Sequence, residues 1–434
     1  MKYFVVINLS KILLSLYCGI FYSALVHAQV PLTFQAAMNM AVASSPSIKN
    51  KEEEFNAADQ SVNGARWSRY PSLSLSLATK ANYYNSSILG NGGVPQSVPG
   101  PTSTARLEQP LYTWGAINAK ISGAQFQREV ARMAVITETN SVLDRVIAAF
   151  SQAQQSQERI EVINESIIRL KEFEAMMERR YEAQIGSKND ITLVSSRILQ
   201  AKSDLAQAVT LGARSRAALE ELTGQSIVKV VPEKSFKTSY KSSDAVQVAA
   251  LDVSSELSSA NAQLEVANQL VSQKKGEILP AIVARLERIR YQQVGAPTVD
   301  YSQGYLALSA TFGNGLSQFS EVKAKASMAE GAREQIEVVR RALIQSCAST
   351  WADVQAYNEQ LSVMNEVSAH NKGIVESFMR QYIAGKKSWF EVLSAERDLT
   401  SSRLTLADIR ASAFVANNRL QRLTGQLLKI PMPD

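Results

Sequence analysis

The sequence predicts a mainly α-helical fold with four β-strands, built from two copies of one structural pattern. Three observations lead to this prediction: a long internal repeat, proline-free stretches with helical periodicity, and segments in which apolar and polar residues alternate. The repeat is clearest between residues 181–225 and 382–426, which are offset by 201 residues (382 − 181) and both end in Leu-Thr-Gly-Gln. The glycine of each tetrad is predicted to hold the left-handed position that ends a helix.

Composition narrows the function classes. The 434 residues carry 46 basic and 40 acidic side chains and a formal net charge of +6, spread along the chain without a basic block. Nucleic-acid binding is therefore not predicted. Beyond the N-terminus, no stretch has the roughly eighteen consecutive apolar residues that a membrane-spanning helix needs.

Residues 1–28 have the pattern of a secretory signal peptide. Two lysines form a basic start, residues 12–25 form an apolar centre, and residues 26–28 form a small-residue cleavage site. An uncleaved membrane anchor is the alternative, and the short apolar run disfavours it. Removal of this segment would leave Cys347 as the single cysteine, so no intrachain disulfide is expected.

The first repeat is predicted to cover residues 29–228. Its first helical stretch is interrupted before Pro46, because proline favours the first turn of a helix. A β-hairpin follows at about 69–112, where leucines alternate with serines over residues 72–77. Pro110, which lacks an amide proton, is predicted to mark the end of the second strand.

The longest predicted elements are helical hairpins. Residues 115–225 contain no proline, and their apolar side chains recur at spacings of three, four and seven, which is typical of coiled coils. A hairpin is therefore predicted here, with its turn at residues 184–189. This turn carries Gly186, and Ser187 and Asp190 are predicted to cap the helix that follows.

A linker is predicted at residues 229–242, where the helical pattern breaks, and the second repeat at 243–434. The turn of its helical hairpin is predicted at residues 383–387. The second repeat contains, in order, one helix, a β-hairpin and a helical hairpin, at about 243–275, 280–312 and 316–426.

The alternating strands fit either a soluble barrel with apolar residues inside or a membrane barrel with apolar residues toward lipid. Tilted strands of about ten residues cross an outer membrane. Four strands are too few to close a barrel, and an unpaired edge is forbidden in lipid. We therefore expect a homotrimer that shares one 12-stranded membrane β-barrel, with long antiparallel coiled-coil helices forming a tube beneath it. The hairpin loops at 86–103 and 292–299 are predicted to be extracellular.

Three motifs occur in order along the chain. They are Leu-Glu-Gln-Pro-Leu-Tyr-Thr-Trp-Gly at 107–115, Gly-Ser-Lys-Asn-Asp at 186–190, and Tyr-Ile-Ala-Gly-Lys-Lys-Ser at 382–388 followed by Glu-Val-Leu at 391–393. Together they resemble the TolC-like outer-membrane channel family, the trimeric exit ducts of drug efflux pumps and type I secretion systems. The resemblance covers nearly all of the chain after the predicted signal. It marks the first motif as a strand-to-helix junction, with Pro110, Tyr112 and Gly115.

The resemblance implies a gate at the periplasmic turns, opened by an adaptor and a pump. Carried over by position, Asp190, Tyr382 and Lys387 would hold it shut, and Glu391 would line the pore constriction. A second acidic ring of the family falls on Ser394, which departs from the pattern. The adaptor would contact the tips of the turns, at Gly186, Ser187, Gly385, Lys386 and Ser388. The alternative for Asp190, Tyr382 and Lys387 is ordinary capping and solvent exposure at the turns, and the alternative for Glu391 is an ordinary solvent-exposed helix face.

The two predicted turns differ in sequence. Gly186 lies two residues beyond the position that matches Gly385 (385 − 201 = 184), which leaves the geometry of the first turn open. At the second turn, three Glu391 carboxylates around a narrow pore would repel one another. They would attract cations or raise their own pKa values.

Enzymatic functions find no support in the sequence. After the predicted signal, His370 is the single histidine, and no zinc, phosphate-loop or nucleotide-binding motif occurs. We predict no catalysis, cofactor or metal. The implied partners are two further copies of the chain, a periplasmic membrane-fusion adaptor, an inner-membrane ABC or proton-driven pump, and outer-membrane lipid. The rival interpretation is a periplasmic coiled-coil adaptor or scaffold with a small soluble β-domain, which would fractionate as a soluble protein.

Overall fold

The computed structural model describes residues 31–78, 99–233, 240–293, 297–310 and 317–427. The predicted signal peptide lies outside these residues. So do most of the predicted loop at 86–103 and part of the linker at 229–242.

Helices and strands follow one another in the same order in both halves of the chain: two helices, two strands, two long helices. The mainly helical fold class with a four-stranded antiparallel sheet is therefore confirmed. In chain order, the elements are α1 (Phe34–Ser44), α2 (Pro46–Trp67), β1 (Ser72–Ala78), β2 (Pro99–Tyr112), α3 (Ala116–Glu182), α4 (Lys188–Thr223), α5 (Ser243–Val253), α6 (Ser255–Ile278), β3 (Ala281–Gln293), β4 (Val299–Ser309), α7 (Ser317–Ile383) and α8 (Trp389–Leu423).

Helix ends follow local capping chemistry. Pro46 opens α2, and Gly224 ends α4 with φ +69°, as the first Leu-Thr-Gly-Gln tetrad predicts. Gly425, in the second tetrad, has the same φ of +69°. The prediction of one helix over residues 243–275 is wrong, because α5 and α6 are separated at Ser254. The Ser254 hydroxyl accepts a hydrogen bond from the amide of Leu257 at 3.1 Å and so starts a new helix.

The four strands form one antiparallel sheet in the order β1-β2-β3-β4. Directly paired residues share a face, and Leu73, Leu107 and Leu286 lie in one cross-strand row. This face, which we call the leucine face, is strongly exposed: Leu75 is 75% exposed and Leu306 is 71% exposed.

The opposite face of the sheet carries paired charges. The Arg106 guanidinium lies 2.6 Å from the Glu287 carboxylate, and the Arg285 guanidinium lies 2.6 Å from the Glu108 carboxylate. The predicted separation of apolar and polar side chains onto two faces is therefore present in β1 and over residues 282–287 of β3, whereas Arg288 and Arg290 further along β3 lie on the leucine face.

Pro110 does not end its strand, contrary to the prediction. β2 continues to Tyr112, and its pairing with β3 shifts register between Pro110 and Tyr112. β1 pairs with β2 only as far as Glu108, so β2 has a single neighbour at Pro110. A proline without an amide proton is tolerated at such an edge position or bulge.

The chain divides into two compact units, each of which draws on both halves of the sequence. The first comprises residues 1–44, 145–235 and 359–415, and the second comprises the remainder. The predicted repeats are therefore not separate compact units, and their boundaries at 228 and 243 stay a prediction.

Each unit has its own packed core. In the first unit, the rings of Phe34, Phe150 and Phe414 pack with centroids 4.9 to 5.8 Å apart. In the second unit, which holds the sheet, Val246, Cys347 and Leu420 belong to one buried cluster. Among the described helices, none combines the length and the apolar content needed to cross a bilayer.

Candidate functional site

The two helix-to-helix turns have the same backbone geometry, although their sequences differ. Gln184 has φ +60° and Gly385 has φ +75°, so both hold the left-handed conformation at matching positions. The surrounding hydrogen bonds match at the same offset of 201 residues. They run from Gln184 N to Tyr181 O (2.9 Å), from Gly385 N to Tyr382 O (3.0 Å), from Ile185 N to Arg180 O (2.9 Å) and from Lys386 N to Gln381 O (2.8 Å).

Gly186 has a different role from Gly385. A Cβ atom at Gly186 would lie 3.0 Å from the amide nitrogen of Tyr181 and 3.1 Å from the carbonyl carbon of Arg180. Glycine therefore permits a close backbone approach rather than a left-handed turn. The next residue, Ser187, caps α4 as predicted, since its hydroxyl accepts a hydrogen bond from the Asn189 amide at 3.1 Å. The amide of Asp190 donates to the carbonyl of Ser187.

Ser388 and Glu391 form a reciprocal cap at the start of α8. The Glu391 carboxylate accepts from the Ser388 amide and hydroxyl, both at 2.9 Å, and the Glu391 amide donates to the Ser388 hydroxyl at 3.4 Å. Lys387 adds an ion pair, with its Nζ 2.6 Å from Glu391 Oε1. The hydrogen bond from Lys387, helped by those from Ser388, lowers the pKa of Glu391 to about 2. Within one chain, this shift is opposite to the rise expected for a ring of carboxylates.

Tyr382 is held in the core of its own chain. Its ring centroid lies 5.2 Å from that of Trp389, whose ring meets Phe173 edge-on at 5.5 Å. The Arg180 guanidinium lies 5.1 Å from the centre of the Tyr382 ring. The Tyr382 hydroxyl donates to the sulfur of Met177 at 3.4 Å, a weak acceptor. Sequence reasoning missed Trp389, which is only 4% exposed and fixes the position of the ring.

The predicted gate residues are only partly brought together. Tyr382, Lys387 and Glu391 surround the second turn, while Asp190 lies at the start of α4 beside the first. Lys387 pairs with Glu391 and lies 4.4 Å from the Phe378 ring, and it forms no ion pair with Asp190. In the described part of a single chain, the Asp190 carboxylate has no ion-pair partner. The roles of these residues in a gate stay a prediction.

A buried ion pair near the turns escaped sequence reasoning. Glu396, only 2% exposed, accepts hydrogen bonds from Arg169 Nε at 3.0 and 3.1 Å and from Ser166 at 3.2 Å. The pair joins α3 to α8. Loss of one partner of a fully buried pair typically costs about 3 to 5 kcal/mol, and the cost here is expected to be smaller because the Arg169 side chain is 26% exposed. Arg169 and Glu396 lie 227 residues apart in the sequence, so no local sequence pattern could predict the pair.

The strand-to-helix junction is built by two successive left-handed residues, Trp114 with φ +52° and Gly115 with φ +83°. The Trp114 indole donates to the carbonyl of Pro280 at 2.9 Å, and its ring packs against that of Tyr112 with centroids 4.9 Å apart. Gly276 also belongs to the junction, because a Cβ there would lie 3.0 Å from the Trp114 carbonyl oxygen. Sequence reasoning found Tyr112 and Gly115 but not Gly276.

Aromatic side chains are exposed where the helices meet the sheet. These positions flank the ends of β1, β2 and β4 that join helices. They are Trp67 (68% exposed), Tyr70 (58%), Tyr112 (51%), Trp114 (46%) and Phe319 (53%). Aromatic side chains of this kind are enriched at membrane–water interfaces.

Comparison with known proteins agrees with this fold. The chain is similar to Protein CyaE of Bordetella pertussis, at 26% identity over 44% of this chain and 40% of that protein. It is also similar to the cobalt-zinc-cadmium resistance protein CzcC of Cupriavidus metallidurans, at 21% identity over 91% of this chain and 90% of that one. A crystal structure of CusC superimposes with a TM-score of 0.77 at 15% identity, covering 91% of this chain and 92% of that one.

The family model described as outer membrane efflux protein matches twice, at residues 37–225 and 247–426. These two matches cover most of the chain, including both helical turns and the strand-to-helix junction. The chain belongs to the outer membrane efflux protein family, a family of outer-membrane transport channels rather than enzymes.

Proposed function

We propose that three copies of this chain assemble into one 12-stranded barrel, the exit duct of a tripartite efflux pump or a type I secretion system. The observation that carries the proposal is the sheet itself. Its leucine face is exposed, its other face bears paired charges, and β1 and β4 each pair with one neighbour among the described strands.

Closure by several copies follows from the bilayer. Unpaired amides and carbonyls are not tolerated in lipid, so the free edges of β1 and β4 need partners. Four strands lie below the roughly eight that close a barrel, and three copies supply an allowed even number. The leucine face would meet lipid, and the pairs Arg106–Glu287 and Glu108–Arg285 would face the water of the pore.

Disulfide trapping tests the pairing of β1 with β4 of a neighbouring chain. Ser74→Cys is combined in turn with Gln303→Cys, Tyr305→Cys and Ala307→Cys, all on the charged face. We expect covalent dimers and trimers on a non-reducing gel for one of the three registers. β1 and β4 of one chain are separated by two strands, about 14 Å, too far for an intrachain disulfide. Cys347 is fully buried, so it does not compete.

The matched control combines Ser74→Cys with Leu306→Cys, which lies on the opposite face. This pair is expected to cross-link poorly. If every register failed to cross-link and the protein remained monomeric in detergent, or soluble without it, the duct would be refuted. The periplasmic scaffold would then be favoured.

The two helical turns are proposed as the gated periplasmic end, which an adaptor contacts and an ABC or proton-driven pump serves. In support, Ser187, Gly385, Lys386 and Ser388 are exposed, and the Asp190 carboxylate has no ion pair within the described chain. Deletion of the protein distinguishes the two transport classes. Sensitivity to dyes, detergents or metal ions indicates efflux, whereas loss of an exported protein indicates secretion.

A further inference from the structure

The leucine face is not apolar throughout. Arg288 is paired across the sheet with Ala105 and Arg290 with Ser103, in the rows that hold Leu75 and Leu77. Both arginines therefore project from the same face as the leucines, beside a shallow groove. The groove is lined by Leu75, Leu77, Ser103, Ala105, Arg288, Arg290 and Asp300.

The charges at this groove are unbalanced. Arg288 holds Asp300 in a two-pronged ion pair, with Nε–Oδ1 and Nη2–Oδ2 distances of 3.1 and 3.0 Å. Arg290 lies across the sheet from Asp300, and its backbone carbonyl accepts a hydrogen bond from the Ser103 hydroxyl at 3.3 Å. Its guanidinium group makes no hydrogen bond or close ion pair with any residue that the structure describes, although its charge favours the ionised form of Asp300. Two guanidinium groups thus lie beside one carboxylate, and the N–H donors of the Arg290 guanidinium are available to a ligand.

The position of the groove along the strands matters, because a charge facing lipid is costly at mid-depth and cheap near the interface. Arg290 lies nine residues beyond Ala281, the helix-joined end of β3. Nine residues span about 31 Å of strand, or about 23 Å of height at a tilt of about 40°. The apolar band of such barrels is about 25 Å tall, so Arg290 comes near its far border.

We propose that Arg290, with Arg288 beside it, binds the phosphate of an outer-leaflet lipid whose acyl chains lie along Leu75 and Leu77. A guanidinium fork matches phosphate geometry, and the adjoining leucines suit hydrocarbon. The occupant is a phosphorylated lipid such as lipid A rather than a free anion, because the arginines stand at the edge of an apolar surface. This inference rests on the proposed function, which turns the leucine face toward lipid.

Native mass spectrometry of the purified full-length channel in detergent tests this site. The channel is titrated with bisphosphorylated lipid A, with fully dephosphorylated lipid A and with inorganic phosphate. We expect Arg290→Gln to bind bisphosphorylated lipid A at least about tenfold more weakly than wild type does. This factor corresponds to the loss of one charge-assisted hydrogen bond. Arg290→Lys should fall in between. Dephosphorylated lipid should not distinguish the variants.

Arg340→Gln is the control, since Arg340 is a half-exposed arginine on α7 with only a loose ion pair of 3.8 Å. It should bind as wild type does. Equal binding by Arg290→Gln, or displacement of lipid A by equimolar inorganic phosphate, would overturn the lipid site. If these results came from a trimer that still conducts ions, the duct would stand without this site, whereas a monomeric wild type would remove the duct itself.

Discussion

Glu391 shows how one side chain can be assigned two opposite behaviours. As a bare carboxylate in a ring of three, it is expected to repel its copies and to have a raised pKa. In its own chain, Lys387 and Ser388 instead hold its pKa at about 2, below the usual 4.5. A carboxylate whose pKa is lowered by folding stabilises the fold above its unfolded pKa. That contribution is lost as the pH falls toward 2.

We therefore expect the charge of Glu391 to persist through moderate acid. The ratio of cation to anion permeability is measured in planar bilayers for wild type and for Glu391→Gln. The difference between the two ratios should stay constant between about pH 7 and pH 4. In Lys387→Met, the pKa of Glu391 should return toward 4.5, and the difference should decline near that pH. A wild-type difference that vanished by pH 5 would show that repulsion within the ring dominates.

At the scale of elements, the two helix-to-helix turns adopt the same backbone conformation with different residues at the left-handed position. Gly385 holds the left-handed conformation without strain, whereas Gln184 holds it with a Cβ atom present, which costs about 1 kcal/mol. The first turn is therefore predicted to be the less stable of the two.

Gln184→Gly should relieve this strain. We expect slower hydrogen exchange at the Ile185 amide, which bonds to Arg180 O, by up to about fivefold for about 1 kcal/mol. Peptide-level exchange with mass spectrometry reports it. Gly385→Ala is the matched control and should speed exchange at Lys386. Faster exchange in Gln184→Gly would show that the flexibility of glycine outweighs the relief of strain.

Elements marked by strong periodicity were predictable from the sequence. The leucine and serine alternation gave the two faces of β1, and the absence of proline gave the long α3 and α7. The Leu-Thr-Gly-Gln tetrads located two helix ends, because glycine is the residue that adopts a left-handed cap without strain.

Features that depend on distant neighbours were not predictable. The break at Ser254 carries no proline or glycine, and Pro110 stays in its strand because β1 stops short of it. The left-handed conformation of Gln184 was also not predictable, because glycine and asparagine are the residues that usually indicate it. The ion pair of Lys387 with Glu391 within one chain was also missed, since the resemblance pointed to Asp190, whose contact with Lys387 in a gate stays a prediction.

At the scale of the whole molecule, the proposed gate should respond when its contacts at the second turn are removed. Tyr382→Phe combined with Lys387→Ser deletes the hydroxyl bonded to Met177 and the ion pair with Glu391. The predicted outcome is a higher single-channel conductance in planar bilayers, because the closed state loses more contacts than the open one. Lys386→Ser is the control and should leave conductance unchanged, because Lys386 is exposed and forms no ion pair within the described residues. Equal conductance in the double variant and wild type would refute the gate assignment.

The bare margins of the sheet have a consequence for biogenesis. A newly exported subunit would expose two unpaired strand edges next to the apolar leucine face. Such edges promote aggregation in water, and their unpaired backbone groups are not tolerated in the hydrocarbon of a bilayer. If the proposed trimeric barrel forms, entry into the bilayer and association of the subunits are therefore expected to occur together. Assembly of such a protein should depend steeply on subunit concentration. At low expression, unassembled subunits should be degraded by proteases rather than accumulate as partial barrels.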